Sequence, residues 1–193
     1  MLYNKIYLLL FVLLFSFCNS KNGRNDNLLV DKSEIILDRN KGLVFYRDQA
    51  FSGTATKTFS NGQLEQSTSY LNGKKNDTIK KWYTDGILSY QAVYQSGKLH
   101  GESSTWWKNG KLRSTTNFTK GKVNGLVTQW FSSGNLFKKM NYKFGKEEGI
   151  QQAWRKNGTL YNNYEAKNGR IFGLKRANLC YELEDEIIQY NEK

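Results

Sequence analysis

The chain has 193 residues, carries a formal net charge of +12, contains no Pro, and is 15% Phe, Tyr and Trp. A mean hydropathy of −0.68 excludes a thick apolar core, and the aromatic content excludes a disordered polar chain. One His and two Cys leave little material for a metal site or a His-dependent catalyst.

In chain order, the first element is "MLYNKIYLLLFVLLFSFCNS". Lys5 gives a positive start, and Ile6–Phe17 is an apolar run too short for a membrane span and right for a secretion signal. The run stops at Cys18 and is followed by polar residues, which resembles a bacterial lipoprotein signal. That resemblance implies cleavage before Cys18 and lipid attachment to it. Phe17 and Phe15 depart from the usual small residue and Leu, so an ordinary signal peptide ending in Cys is the alternative. Residues 1–17 are thus read as signal peptide and 18–41 as a polar tether, with one short element expected at Ser33–Asp38.

From residue 42 the chain repeats. Starts fall every 24 residues at Gly53, Asp77, Gly101, Gly125, Gly149 and Gly173. Five residues later stand Thr58, Trp82, Trp106, Trp130 and Trp154, followed at once by Phe59, Tyr83, Trp107, Phe131 and Arg155. Gly62, Gly86, Gly110, Gly134 and Gly158 come next, each followed by Leu two residues on. Tyr70, Tyr94, Phe118 and Tyr142 form a further column, and each unit closes on Gly-Lys or Gly-Arg. This regularity defines a repeat protein.

Asn61-Gly62, Asp85-Gly86, Asn109-Gly110 and Asn157-Gly158 are strong two-residue hairpin turn signals, in which both central residues need positive φ. The second glycine marks the return turn. The segments between turns are rich in Thr, Tyr, Trp, Val and Phe and read as strands. The expected fold is all-β: an elongated antiparallel meander of about ten strands in a single twisted layer, roughly 50 Å long. The repeat sheet is assigned to 42–173, with Gly42–Gly53 supplying its N-terminal edge strand. Residues 174–193 are assigned to a C-terminal cap and acidic tail.

The column pattern resembles the MORN repeat variant of bacterial proteins, many of them secreted or lipid-anchored and many labelled toxin–antitoxin system antitoxins. The resemblance covers about residues 42–173 and implies an elongated antiparallel sheet acting as a protein- or lipid-binding scaffold. The departures at Thr58, Asp77, Arg155 and Ala166 concentrate in the end units, as expected of caps.

With two-residue loops at both turns, the Leu and Tyr columns share a buried face with Phe59, Tyr83, Trp107 and Phe131, joined by Ala55, Ile79, Ala92, Val127 and Met140. Trp82, Trp106, Trp130 and Trp154 then lie on the opposite, more polar face, with Arg113, Phe137 and Tyr161 between them. One bulge per unit reverses that assignment. This Trp face is one candidate binding surface, for an extended chain, peptide or sugar. The alternative is that each Trp shields its own strand pair.

His100 occupies a column otherwise held by Asn76, Asn124 and Glu148, and reads as a turn residue rather than a catalyst. No cofactor, metal or enzymatic activity is expected. Basic charge interleaved with aromatics suits single-stranded nucleic acid, but a secretion signal separates the chain from it. A rim of Lys74, Lys98, Lys122, Lys146 and Arg170 is a candidate for anionic membrane headgroups. The expected function is a non-enzymatic scaffold in the cell envelope, binding a protein, peptide or glycan, with an antitoxin- or immunity-like role as the alternative. The expected location is the cell envelope, lipid-anchored and facing the periplasm or outer membrane, if Cys18 is modified; otherwise the chain is expected to be secreted.

Overall fold

The computed structural model describes residues 28–174. The leader, Cys18 and the tail beyond Leu174 lie outside the described residues. Eleven strands follow one another as a meander: β5 (Gly53–Thr58), β6 (Leu64–Leu71), β7 (Lys74–Trp82), β8 (Leu88–Gln95), β9 (Lys98–Trp106), β10 (Leu112–Thr119), β11 (Lys122–Trp130), β12 (Leu136–Lys143), β13 (Lys146–Trp154), β14 (Leu160–Lys167) and β15 (Arg170–Leu174). Each pairs antiparallel with the next, as the Thr-, Tyr- and Trp-rich segments between glycine turns require. With β1 (Leu29–Asp31) on one edge, they make an open 12-stranded sheet.

The N-terminal edge is not Gly42–Gly53. β1 occupies it, running parallel to β5, with Leu29 opposite Thr54 and Asp31 opposite Thr56. β1 lies within the stretch read as tether, and it is held because alternation buries Val30 while Leu29 faces out. The intervening chain makes a one-turn 3-10 helix at Lys32–Glu34 with an Asp31 capping box, then a small separate sheet of β2 (Ile36–Asp38), β3 (Leu43–Tyr46) and β4 (Gln49–Ala50). This cap buries Phe51 against Tyr46 and Tyr70, with ring centroids 5.9 and 5.6 Å away. Val44 N–H donates to the Gly73 carbonyl at 2.8 Å, and a side chain at Gly73 would collide with the Val44 carbonyl.

The first turn is not the two-residue turn that the Asn-Gly pairs suggest, whereas the return turn is a two-residue turn as expected. At the first turn, Phe131 N–H donates to Asn135 O and Gly134 N–H to Phe131 O, both at 2.9 Å. That is a three-residue loop in which only the glycine has positive φ. Asn109 serves instead through its side chain, accepting from Lys111 N–H at 3.1 Å. The two-residue turns with positive φ at both positions are the return turns, such as Lys120-Gly121 (51° and 83°) and Phe144-Gly145 (49° and 89°).

The three-residue loop is followed by a bulge. Gln129 pairs with Lys138 but Trp130 pairs with Leu136, leaving Phe137 as the extra residue. The same shift occurs beside Trp82, Trp106 and Trp154. The Leu column therefore stands opposite the Trp column and shares its face, a correction to its assignment on the Tyr face. The Tyr-column expectation matches the register: Tyr142 opposes Gly125 and Met140 opposes Val127. On this inner face Ala55, Thr68, Ile79, Ala92, Val127 and Ala153 are buried. A second bulge lies at the starts Asp77, Gly101, Gly125 and Gly149, between the Thr116–Val127 and Phe118–Val123 pairs for example.

Candidate binding ladder on the first-turn rim

The predicted Trp residues end strands β7, β9, β11 and β13, half-buried and each opposite a Leu. Arg113, Phe137 and Tyr161 do not make their ring contacts with that column. They stack on the next one: the Arg113 guanidinium lies 4.6 Å from the Trp107 ring, Phe137 lies 4.7 Å from Phe131, and Arg155 lies 5.7 Å from the Tyr161 ring. The bulge causes this, because the extra residue falls beside the aromatic that opens the loop. One such pair recurs per two strands, about 10 Å apart.

These rings also tie one unit to the next. Tyr83 Oη donates to the Trp106 carbonyl at 2.7 Å, and Trp107 Nε1 to the Trp130 carbonyl at 3.1 Å. Loop amides follow the same direction, Asn109 Nδ2 donating to Ser132 O at 2.7 Å and Asn135 Nδ2 to Lys156 O at 3.1 Å. Tyr83, Trp107, Lys108, Asn109, Arg113 and Ser132 thereby enclose a shallow cleft of about 470 Å³. An aromatic floor with two cations and amide edges offers stacking and hydrogen bonding to an extended ligand.

On the opposite rim, Lys74, Lys98, Lys122, Lys146 and Arg170 are exposed, each directly after a return turn. Successive return turns are hydrogen-bonded, with Gly97 N–H donating to Lys75 O and Gly145 N–H to Val123 O, both at 2.7 Å. The column containing His100 acts here: Asn76, Asn124 and Glu148 accept from the N–H of Ser96, Phe144 and Asn168 in the following unit. Sequence reading placed that column at a turn but missed its bond to the next one, for which the only signal is the recurrence of an acceptor side chain.

Tyrosines of the inner face hold their protons. Burial raises the Tyr94 phenol to about 12, with Tyr90 beside it adding to the effect. Burial likewise raises Tyr164, whose hydroxyl also donates to Glu147 at 2.8 Å. Among the described residues no His, Cys, Asp and Glu group is arranged to hold a metal ion.

Two stretches, 99–120 and 123–144, match the family model described as MORN repeat variant. They correspond to β9–β10 and β11–β12, so a matched repeat is a return-turn-to-return-turn hairpin carrying one Trp and one stacked pair. No curated protein matches the chain.

Proposed function

We propose that the chain is a non-enzymatic repeat scaffold of the cell envelope that binds an extended peptide, protein segment or glycan along the first-turn rim. The observation that carries this is the recurring stack at Trp107–Arg113, Phe131–Phe137 and Arg155–Tyr161. Aromatic and Arg side chains dominate contacts of this kind. Its repeat matches the strand repeat of the sheet, so a ligand lying across the strands meets the same chemistry at each step. Residues that would otherwise suggest catalysis have structural partners, as Glu147 does in Tyr164 and Glu148 in the Asn168 N–H.

The exposed lysine rim favours a second reading, adsorption to anionic headgroups. The two separate on one comparison. Labelled protein is applied to an array of soluble oligosaccharides and extended peptides, and co-sedimented with anionic vesicles. Array binding without vesicle binding supports the ladder. Vesicle binding that is lost at high salt, with a blank array, supports the headgroup reading. The antitoxin-like role is distinguished by whether the array ligand is a segment of a toxic protein.

Envelope anchoring rests on Cys18 at the end of the apolar leader. Cys18→Ser is expected to move the protein from membrane to soluble fractions. Unchanged partitioning, with no lipid mass on the N-terminal peptide, contradicts the anchor.

A further inference from the structure

The N-terminal cap and the return-turn rim enclose a cleft of about 570 Å³, separate from the aromatic ladder. Four lysines line it: Lys32, Lys74, Lys75 and Lys98. Ile35 and Leu37 supply an apolar wall, and Leu37 is 57% exposed. Lys41 pairs with Asp38 and Lys57 with Glu65, whereas none of the four cleft lysines is paired with a carboxylate among the described residues. Lys32 donates to the Gln66 amide oxygen, and Lys75 lies 5.4 Å from the Tyr94 ring. Partial burial, followed by the neighbouring Lys81 and Lys32 charges, lowers the Lys75 pKa. The cleft thus gathers like charges, with no carboxylate among its described lining residues to offset them, beside exposed apolar surface.

The same chain contains the complementary chemistry. "YELEDEII", Tyr181–Ile188, has four carboxylates, no cation, and Leu183, Ile187 and Ile188. We propose that this segment of a second copy occupies the lysine cleft, so that molecules associate head to tail. The carboxylates of Glu182, Glu184, Asp185 and Glu186 meet the lysines, and the apolar side chains meet Ile35 and Leu37. Reach argues for a second copy. Measured along the sheet, β9 and β7 are six and eight strands from β15, about 29 and 38 Å, and Glu182–Glu186 lie about 29–43 Å from Leu174 only with every residue fully extended, so the chain's own segment fills the cleft only from a taut connection. Because cleft and segment are different surfaces, their contact is heterologous and leaves one of each free for further copies.

Sedimentation of the full chain tests this. The wild type is expected to grow in mean mass with concentration and to revert to monomer at about 1 M salt, where charges are screened beyond about 3 Å. Lys74→Glu with Lys98→Glu, and separately Glu184→Lys with Glu186→Lys, are each expected to weaken association at least tenfold. Mixing the two variants restores it, since the intact segment of one meets the intact cleft of the other, and the reversed cleft meets the reversed segment. Restoration excludes misfolding as the cause of the loss. A wild type that stays monomeric at every concentration overturns the proposal, as does failure of the mixed variants to associate. A wild type that stays monomeric and rejects a labelled 179–190 peptide, while the Glu184→Lys with Glu186→Lys variant binds it, shows the segment folding back on its own molecule, and also overturns it.

Discussion

At Gly134 the backbone holds φ at +98°, and the nearest atoms to a Cβ placed there belong to the flexible Lys111 side chain. The demand for glycine there is therefore conformational, not a matter of space. Val at this position is expected to destabilise by more than about 1 kcal/mol, because a β-branched residue in the left-handed region is strained. Ser133→Ala removes one long hydrogen bond, 3.3 Å to Asn135 N–H, and should cost much less. Equal melting temperatures for the two variants contradict the loop geometry. A second residue-scale effect concerns pH. Tyr94 has its folded-state pKa raised from 10.0 to about 12, so the folded chain holds that proton more tightly than the unfolded one. Its contribution to stability is complete below pH 10 and is lost as pH rises through about 12. Ultraviolet titration should show one fewer late-ionising phenol in Tyr94→Phe than in the parent; identical titrations of the two proteins contradict the burial.

At the scale of the hairpin, sequence reveals the period and misses the register. Asn109-Gly110 announces a turn, but the Asn is there for its side-chain acceptor and the loop has three residues rather than two. Lys120 and Phe144 adopt positive φ although neither residue type signals it, because the return-turn geometry between two paired strands leaves no other conformation. The bulge at Phe137 has no signature of its own, and one inserted residue is enough to move Leu136 from the Tyr face to the Trp face. For the same reason Arg113, Phe137 and Tyr161 are legible as binding candidates, while their partners Trp107, Phe131 and Arg155 are not. The link between hairpins is testable. Tyr83→Phe deletes the 2.7 Å bond to the Trp106 carbonyl and is expected to cost about 1 kcal/mol in denaturant unfolding. An unchanged midpoint contradicts coupling of neighbouring units through this side chain.

For the whole molecule, an open sheet whose strands touch mainly their sequence neighbours follows from the repeat, and the all-β meander was legible on that basis. The N-terminal cap was not. β1 pairs with β5 across more than 20 residues, and its parallel pairing leaves no turn signal between them. Its short length and the polar residues around it hide the one alternation, Leu29 out and Val30 in, that fixes it to the edge. The cap leaves the first-turn rim uncovered, and with it the succession of aromatic and cationic stacks.

That rim is the central claim, and binding of the array ligand by two single variants tests it most directly. Trp107 carries the Arg113 stack and lines the first-turn cleft, whereas Trp130 stands opposite Leu136 on the sheet face. Affinities are compared per folded molecule, so that any lost stability is removed from the comparison. The account predicts that Trp107→Ala loses at least tenfold in affinity while Trp130→Ala stays close to the parent. Loss of binding in Trp130→Ala, with Trp107→Ala unaffected, would place the ligand on the Trp–Leu face and contradict the ladder.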